Sequence, residues 1–198
     1  MKIKRINLDE IEILDEPTVN ELLDRLYYLP EKSVEMLLTD PPYDYDIVTK
    51  RELQAAFIRA CKGTIIVFSP PENQWILPAD QYLFWEKPIS TKNTSKSYSR
   101  FVEMMFVYGR GKWNCKRHWS QYTNVFTDLV DDAHLHPYRK PPSLIERLIR
   151  NHTDEGDIIL DPFTGSGVVP DVAKRLGRHF IAYDIKDWRS SNQSLSIE

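Results

Sequence analysis

The sequence predicts an α/β fold: a mostly parallel sheet covered by helices on both faces, with one short irregular insert. Two observations carry this expectation. Short, almost wholly apolar runs suit strands buried on both faces, and segments with helical spacing of apolar residues alternate with them. In chain order, Val34 to Thr39 reads as a buried strand, stopped by Pro41 and Pro42, which cannot donate to a ladder. Arg51 to Lys62 carries Leu53, Ala56, Phe57 and Ala60 on one helical face, with Gly63 placed as its C-terminal cap. Thr64 to Phe68 is a second strand. Gln81 to Trp85 and Val102 to Tyr108 are further strands, the latter ended by Gly109. Residues 112–135 form the irregular insert. Ser143-Leu-Ile-Glu146 has a capping-box pattern ahead of Leu144, Ile145, Leu148 and Ile149 on one helical face. Ile158 to Leu160, the turn Asp161 to Gly167, a helix from Val168 to Leu176 capped by Gly177, and Phe180 to Tyr183 complete a β-α-β unit.

The 198 residues suit one domain with a real core, and 41% hydrophobic with 28% charged residues is the composition of a globular protein. The apolar runs fall far short of a membrane span and Met1-Lys-Ile-Lys-Arg5 leads into no signal-peptide core, so a cytoplasmic protein is expected. Cys61 and Cys115 belong to no paired-cysteine spacing, which supports no metal site and no disulfide scaffold. The domain is expected over 1–188, with 189–198 as a disordered tail.

The net charge of -3 does not suggest a polyanion-binding partner, but its distribution does. Residues 86–120 hold eight Lys or Arg against Glu86 and Glu103, with Trp113, His118 and Trp119 among them. Basic residues mixed with flat rings suit a phosphate backbone and unstacked bases, which makes Lys112, Trp113, Lys116, Arg117 and Trp119 the candidate nucleic-acid contacts; a solvated basic loop is the alternative.

Two loops carry chemistry. In Asp161-Pro162-Phe163-Thr164-Gly165-Ser166-Gly167 the glycines permit a sharp turn and close approach of a ligand to backbone N–H groups. Asp184 ends the next strand, about where nucleotide-binding folds place the acid that holds ribose hydroxyls. The loop opens with a carboxylate, which would repel a pyrophosphate and suits a cationic ligand such as S-adenosylmethionine. The second loop is Thr39-Asp40-Pro41-Pro42-Tyr43, just after a buried strand. Two prolines fix the backbone so that the Asp40 side chain and the Pro41 carbonyl form two rigid acceptors beside a ring, a match for the exocyclic amine of a base.

These motifs together resemble the DNA amino-methyltransferases that modify adenine N6 or cytosine N4 with S-adenosylmethionine. The order, with Asp40 to Tyr43 first, then an insert, His136-Pro-Tyr-Arg-Lys-Pro141 and the glycine loop, resembles their permuted β-class. The resemblance implies a Rossmann-like methyltransferase fold and double-stranded DNA as partner. It also implies that Lys140 belongs to the cofactor site, toward the methionine carboxylate, and that an acid near the end of the first strand meets the cofactor adenine, with Asp15 as candidate and Asp9 as alternative. Asp184 stands where Glu is more usual, and Pro170 in the early helix implies a local bend. Phe101 or Phe106 is the candidate second ring over the flipped base. Asp40 as the opening residue favours adenine N6 over cytosine N4. An RNA substrate stays open, as does a cofactor-fold nucleic-acid-binding subunit without turnover. An insert this short implies few bases read or a homodimer.

Overall fold

The computed structural model describes residues 6–15, 18–71, 73, 75, 77–87, 101–114, 123–129 and 139–184. Twelve elements are formed among them. They run β1 (Ile11–Ile13), α1 (Val19–Tyr28), β2 (Val34–Thr39), α2 (Ile47–Ala60), β3 (Cys61–Ser69) and β4 (Gln81–Glu86). Then follow β5 (Val102–Tyr108), β6 (Val125–Phe126), α3 (Pro142–His152), β7 (Ile158–Asp161), α4 (Val168–Arg175) and β8 (His179–Asp184). The strands make one sheet in the order β1-β8-β7-β2-β3-β5-β4-β6. β1, β8, β7, β2 and β3 are mutually parallel, while β5 runs antiparallel to β3 and β4.

Alternation along the strands separates two cores. Met36, Leu38, Ile66, Phe68, Met105 and Ile159 face α3 and α4. Leu37, Ile65, Val67, Phe106 and Leu160 face α1 and α2. β2 and β7 are adjacent, but β2 feeds α2 on one face and β7 feeds α4 on the other. Their loops therefore diverge and leave a crevice at the strand ends, the place where ligands of open α/β sheets collect.

Several sequence expectations are corrected. Gly63 is no helix cap: α2 begins earlier, with Asp46 accepting a hydrogen bond from Thr49 N, and passes directly into β3 at Cys61. Gly63 lies instead at an irregularity of the β2–β3 ladder, where Val34 pairs with Cys61 but Met36 with Thr64. A Cβ there would sit 2.0 Å from the Glu35 carbonyl oxygen, so the close strand approach is what requires glycine. Ser143 and Glu146 form no capping box. Pro141 precedes the first turn of α3 with no side-chain cap, and Glu146 pairs with Arg150 and Arg175. Pro170 falls in the first turn of α4, where its missing N–H costs nothing. The insert is not wholly irregular, because Val125–Phe126 pairs parallel with β4. Cys61 is buried; Cys115 and the tail 189–198 lie outside the described residues. No helix among the described residues is long and apolar enough to cross a membrane.

Candidate functional site

The loops after β2 and β7 meet. Thr39, the last residue of β2, donates its hydroxyl to Asp161 Oδ1 at 2.8 Å, a buried contact between residues 122 positions apart. Further out, the Tyr45 and Phe163 rings pack with centroids 6.0 Å apart. Between the loops is a cavity of about 540 Å³, walled by Asp40 to Tyr43 on one side and Asp161 to Ser166 on the other, with Asp184 and Lys140 also in its lining. That volume suits a nucleoside-sized ligand.

The glycine loop takes its shape from positive φ at Gly165 (49°) and Gly167 (77°), the second being the N-cap of α4. Thr164 N donates to the Tyr183 carbonyl at 3.0 Å and Gly165 N to the Asp184 carboxylate, so β8 fixes the loop. Asp161 is fully buried. Burial pushes its carboxyl up to about 7, outweighing the hydrogen bonds from Thr39 and Phe163 N that favour the charged form, and Asp184 adds to the rise. Among the described residues no basic side chain forms an ion pair with Asp161.

On the other wall, Asp40 is half-buried and Pro41 buried. Tyr43 donates its hydroxyl to Asp40 Oδ1 at 2.7 Å, and burial together with the Asp40 and Glu103 charges raises its phenol well above the usual range. Lys140, 5% exposed, binds Asp40 Oδ2 and lies 3.1 Å from Glu103 Oε2, with its ammonium 5.1 Å from the Phe68 ring centre. Burial alone would lower its pKa, but the Asp40 and Glu103 carboxylates together raise it. Asn73 braces this loop from the end of β3, donating to the Tyr43 carbonyl and accepting from Lys50.

Other candidates fall elsewhere. Asp15 follows the lining residue Leu14 but is exposed and outside the cavity lining. Asp9 lies at the opposite end of β8, bound to His179 at 2.8 Å and to Phe180 N. Phe106 is core, edge-on to Tyr82, and Phe101 is exposed; neither lines the cavity, whose rings are Tyr43, Tyr45, Phe68 and Phe163. Lys112 and Trp113 lie at the N-terminal edge of the parallel strands, away from the cavity. Lys112 pairs there with Asp154 (2.7 Å) and Asp157 (2.9 Å), and Trp113 packs against His152. Lys116, Arg117 and Trp119 lie outside the described residues, as do His136 to Tyr138.

Sequence reading placed Thr39 in the loop but missed its link to Asp161, and it missed Glu103 and the contribution of α1, whose Thr18, Val19 and Leu22 line the cavity. A signal for α1 existed: Thr18 stands three residues before Glu21, ahead of Leu22, Leu23 and Leu26, and in the structure Thr18 accepts from Glu21 N. Glu103 carried none, because a single acid in an apolar strand does not say which cations face it.

Comparison with known proteins agrees with this geometry. The chain is 29% identical to the type II methyltransferase M2.DpnII of Streptococcus pneumoniae over 212 residues, spanning 77% of this chain and 78% of that protein. It is 57% identical to the type II methyltransferase M2.LlaDCHI of Lactococcus lactis subsp. cremoris over 117 residues, half of this chain and 44% of that protein. Among solved structures, the cytosine-N4-specific PvuII DNA methyltransferase superposes with a TM-score of 0.73 at 16% identity, over 96% of this chain and 86% of that one. A complex of M1.HpyAVI with SAM does so at 0.65 and 22%, over 93% and 100%. These two share the fold. The DNA methylase family matches residues 62–190, more than half of the sequence and including the glycine loop, and the chain belongs to that family.

Proposed function

We propose that this chain transfers a methyl group from S-adenosylmethionine to the exocyclic N6 of adenine in double-stranded DNA. The observation that carries the reading is the convergence of the two loops on one cavity, tied together by the Thr39–Asp161 hydrogen bond. The cavity fits the donor by its chemistry. A buried carboxylate without a basic partner among the described residues, a second carboxylate at Asp184 and apolar walls from Leu14, Val19 and Phe163 suit a cationic nucleoside. When bound, the donor supplies an electrophilic methyl group on a sulfonium.

The chain's own residues do the rest. The exocyclic nitrogen is a poor nucleophile, because its lone pair is delocalised into the ring. Asp40 accepts one N–H and the Pro41 carbonyl the other, which turns the lone pair toward the donor. As the N–C bond forms the S–C bond breaks and a neutral thioether, S-adenosylhomocysteine, leaves. The Asp40 charge stabilises the positive charge that develops on the amine, and the surplus amine proton is then lost to solvent. Tyr43, its hydroxyl anchored on Asp40, offers the ring on which the flipped base stacks. Asp161 and the loop Pro162 to Gly167 seat the donor and Asp184 takes the ribose; Asp15, next to the lining residue Leu14, is the acid assigned to the donor adenine. Lys140, hydrogen-bonded to Asp40 and ion-paired with Glu103, supplies the positive charge toward the donor carboxylate. Lys116, Arg117 and Trp119 are assigned phosphate and base contacts, whereas Lys112 and Trp113 are engaged with Asp154, Asp157 and His152.

Adenine is favoured because an acid opens the Asp40–Tyr43 tetrapeptide. Cytosine N4 is the second reading, supported by the fold shared with the cytosine-N4-specific PvuII enzyme. The test incubates the protein with labelled donor and DNA, with RNA in parallel, and identifies the labelled nucleoside by mass spectrometry. Label in N6-methyladenine, lost by about 100-fold or more in Asp40→Ala, is expected. Label in N4-methylcytosine or in RNA replaces the substrate assignment. Donor binding without transfer identifies a non-catalytic subunit.

A further inference from the structure

The Asp40 carboxylate stands at the end of a buried row of alternating charge. Lys140 lies between Asp40 and Glu103, and Glu103 Oε1 lies 3.2 Å from Lys87 Nζ. The Lys140 and Lys87 side chains are 6% and 8% exposed and that of Glu103 14%, so water screens the Lys140–Glu103 and Glu103–Lys87 pairs little, while Asp40 at the end of the row is 27% exposed. β5 runs antiparallel to β3, which brings its first residues to the edge where the parallel strands end. Glu103 therefore reaches the cavity wall, and it is part of the lining. Burial works against the Glu103 charge, but Lys140 and Lys87 hold its carboxyl below the usual range.

A buried ammonium concentrates its attraction on whatever carboxylates it can reach. With Glu103 present, Lys140 divides that attraction between two. With Glu103 neutral, Asp40 would be the one anion left to it in this row. The Asp40 oxygens would then be drawn into a tight pair and weakened as acceptors for an incoming amine.

We propose that Glu103 is a positioning residue for methyl transfer: from β5 it shares Lys140 with Asp40, and so keeps the Asp40 carboxylate placed and available for the target amine. The proposal rests on the reading of Asp40 as the amine acceptor. It concerns the rate of transfer and not the affinity for the donor.

The test is steady-state and binding analysis of Glu103→Gln. With saturating DNA and donor, kcat is expected to fall by about 10- to 100-fold, the loss that follows a small misplacement of a reacting group. The donor Kd from equilibrium dialysis should move by less than about threefold. Because this substitution removes the carboxylate beside Lys87, the double variant Lys87→Met with Glu103→Gln is measured alongside as a charge-balanced control, with folding checked by thermal unfolding. Slow turnover with retained donor affinity in both variants supports the proposal. Wild-type turnover in the double variant shows that Glu103 only stabilises Lys87, and a donor affinity that falls in step with kcat places its effect at the donor; either result overturns the proposal. Asp40→Ala in the same series separates the two levels. If it still transfers methyl, the assignment of Asp40 fails; if it is inactive while Glu103→Gln is not slowed, only the role of Glu103 fails.

Discussion

Asp161 carries a buried carboxyl that is costly to the empty protein when charged. Its carboxyl is buried at the end of β7 and lifted to about 7 from an ordinary 3.8 by burial first of all. Because the folded value lies above the unfolded one, the unfolded chain loses this proton first as pH rises. The contribution to stability is complete below about pH 3.8, is lost progressively toward pH 7, and amounts to roughly 4 kcal/mol over that window. An amide at this position still offers an oxygen to Thr39 and Phe163 N but has no charge to bury. The melting temperature of ligand-free wild type should therefore fall relative to Asp161→Asn between pH 4 and pH 8, while the variant binds the cationic donor more weakly. Parallel pH profiles for the two proteins would contradict this reading of the site. The identity of Asp161 and Asp40 was legible in the sequence, since each follows a strand in a loop of distinctive chemistry. The Thr39 link and the Glu103 row were not, because both depend on which strands become neighbours.

At the level of elements, the strands were legible where apolar runs are long and bounded by Pro or Gly, as in β2 and β5, whose limits agree with the sequence reading. Boundaries failed where two signals compete. Gly63 follows a helical pattern and so resembles a cap, yet the chain enters β3 two residues earlier, and the glycine serves the approach of β2. Gly63→Ala should accordingly behave as a strand-separating substitution and not as a lost helix cap. A loss of roughly 3 kcal/mol, the upper end for overpacking, is expected in denaturant unfolding. A loss below about 1 kcal/mol, the scale of a cap, would contradict the assignment. Ser143 and Glu146 failed as a capping box for a related reason: Pro141 and Pro142 already fix the entry to α3, and the Glu146 carboxylate is taken by Arg150 and Arg175.

For the whole molecule, the sheet order decides where function can reside. β2 and β7 are far apart in sequence and adjacent in space, and the helices that follow them leave on opposite faces, so the crevice between their loops is a consequence of topology. Charge was less legible at this scale. The basic excess of residues 86–120 was counted without partners, yet Lys87 is committed to Glu103 and Lys112 to Asp154 and Asp157. A crystal structure with S-adenosylhomocysteine decides whether the two loops serve one donor: the ligand is expected in the cavity, its ribose at Asp184 and its sulfur turned toward Asp40, and ligand bound elsewhere, or with its sulfur facing away from Asp40, would overturn the assignment of both loops.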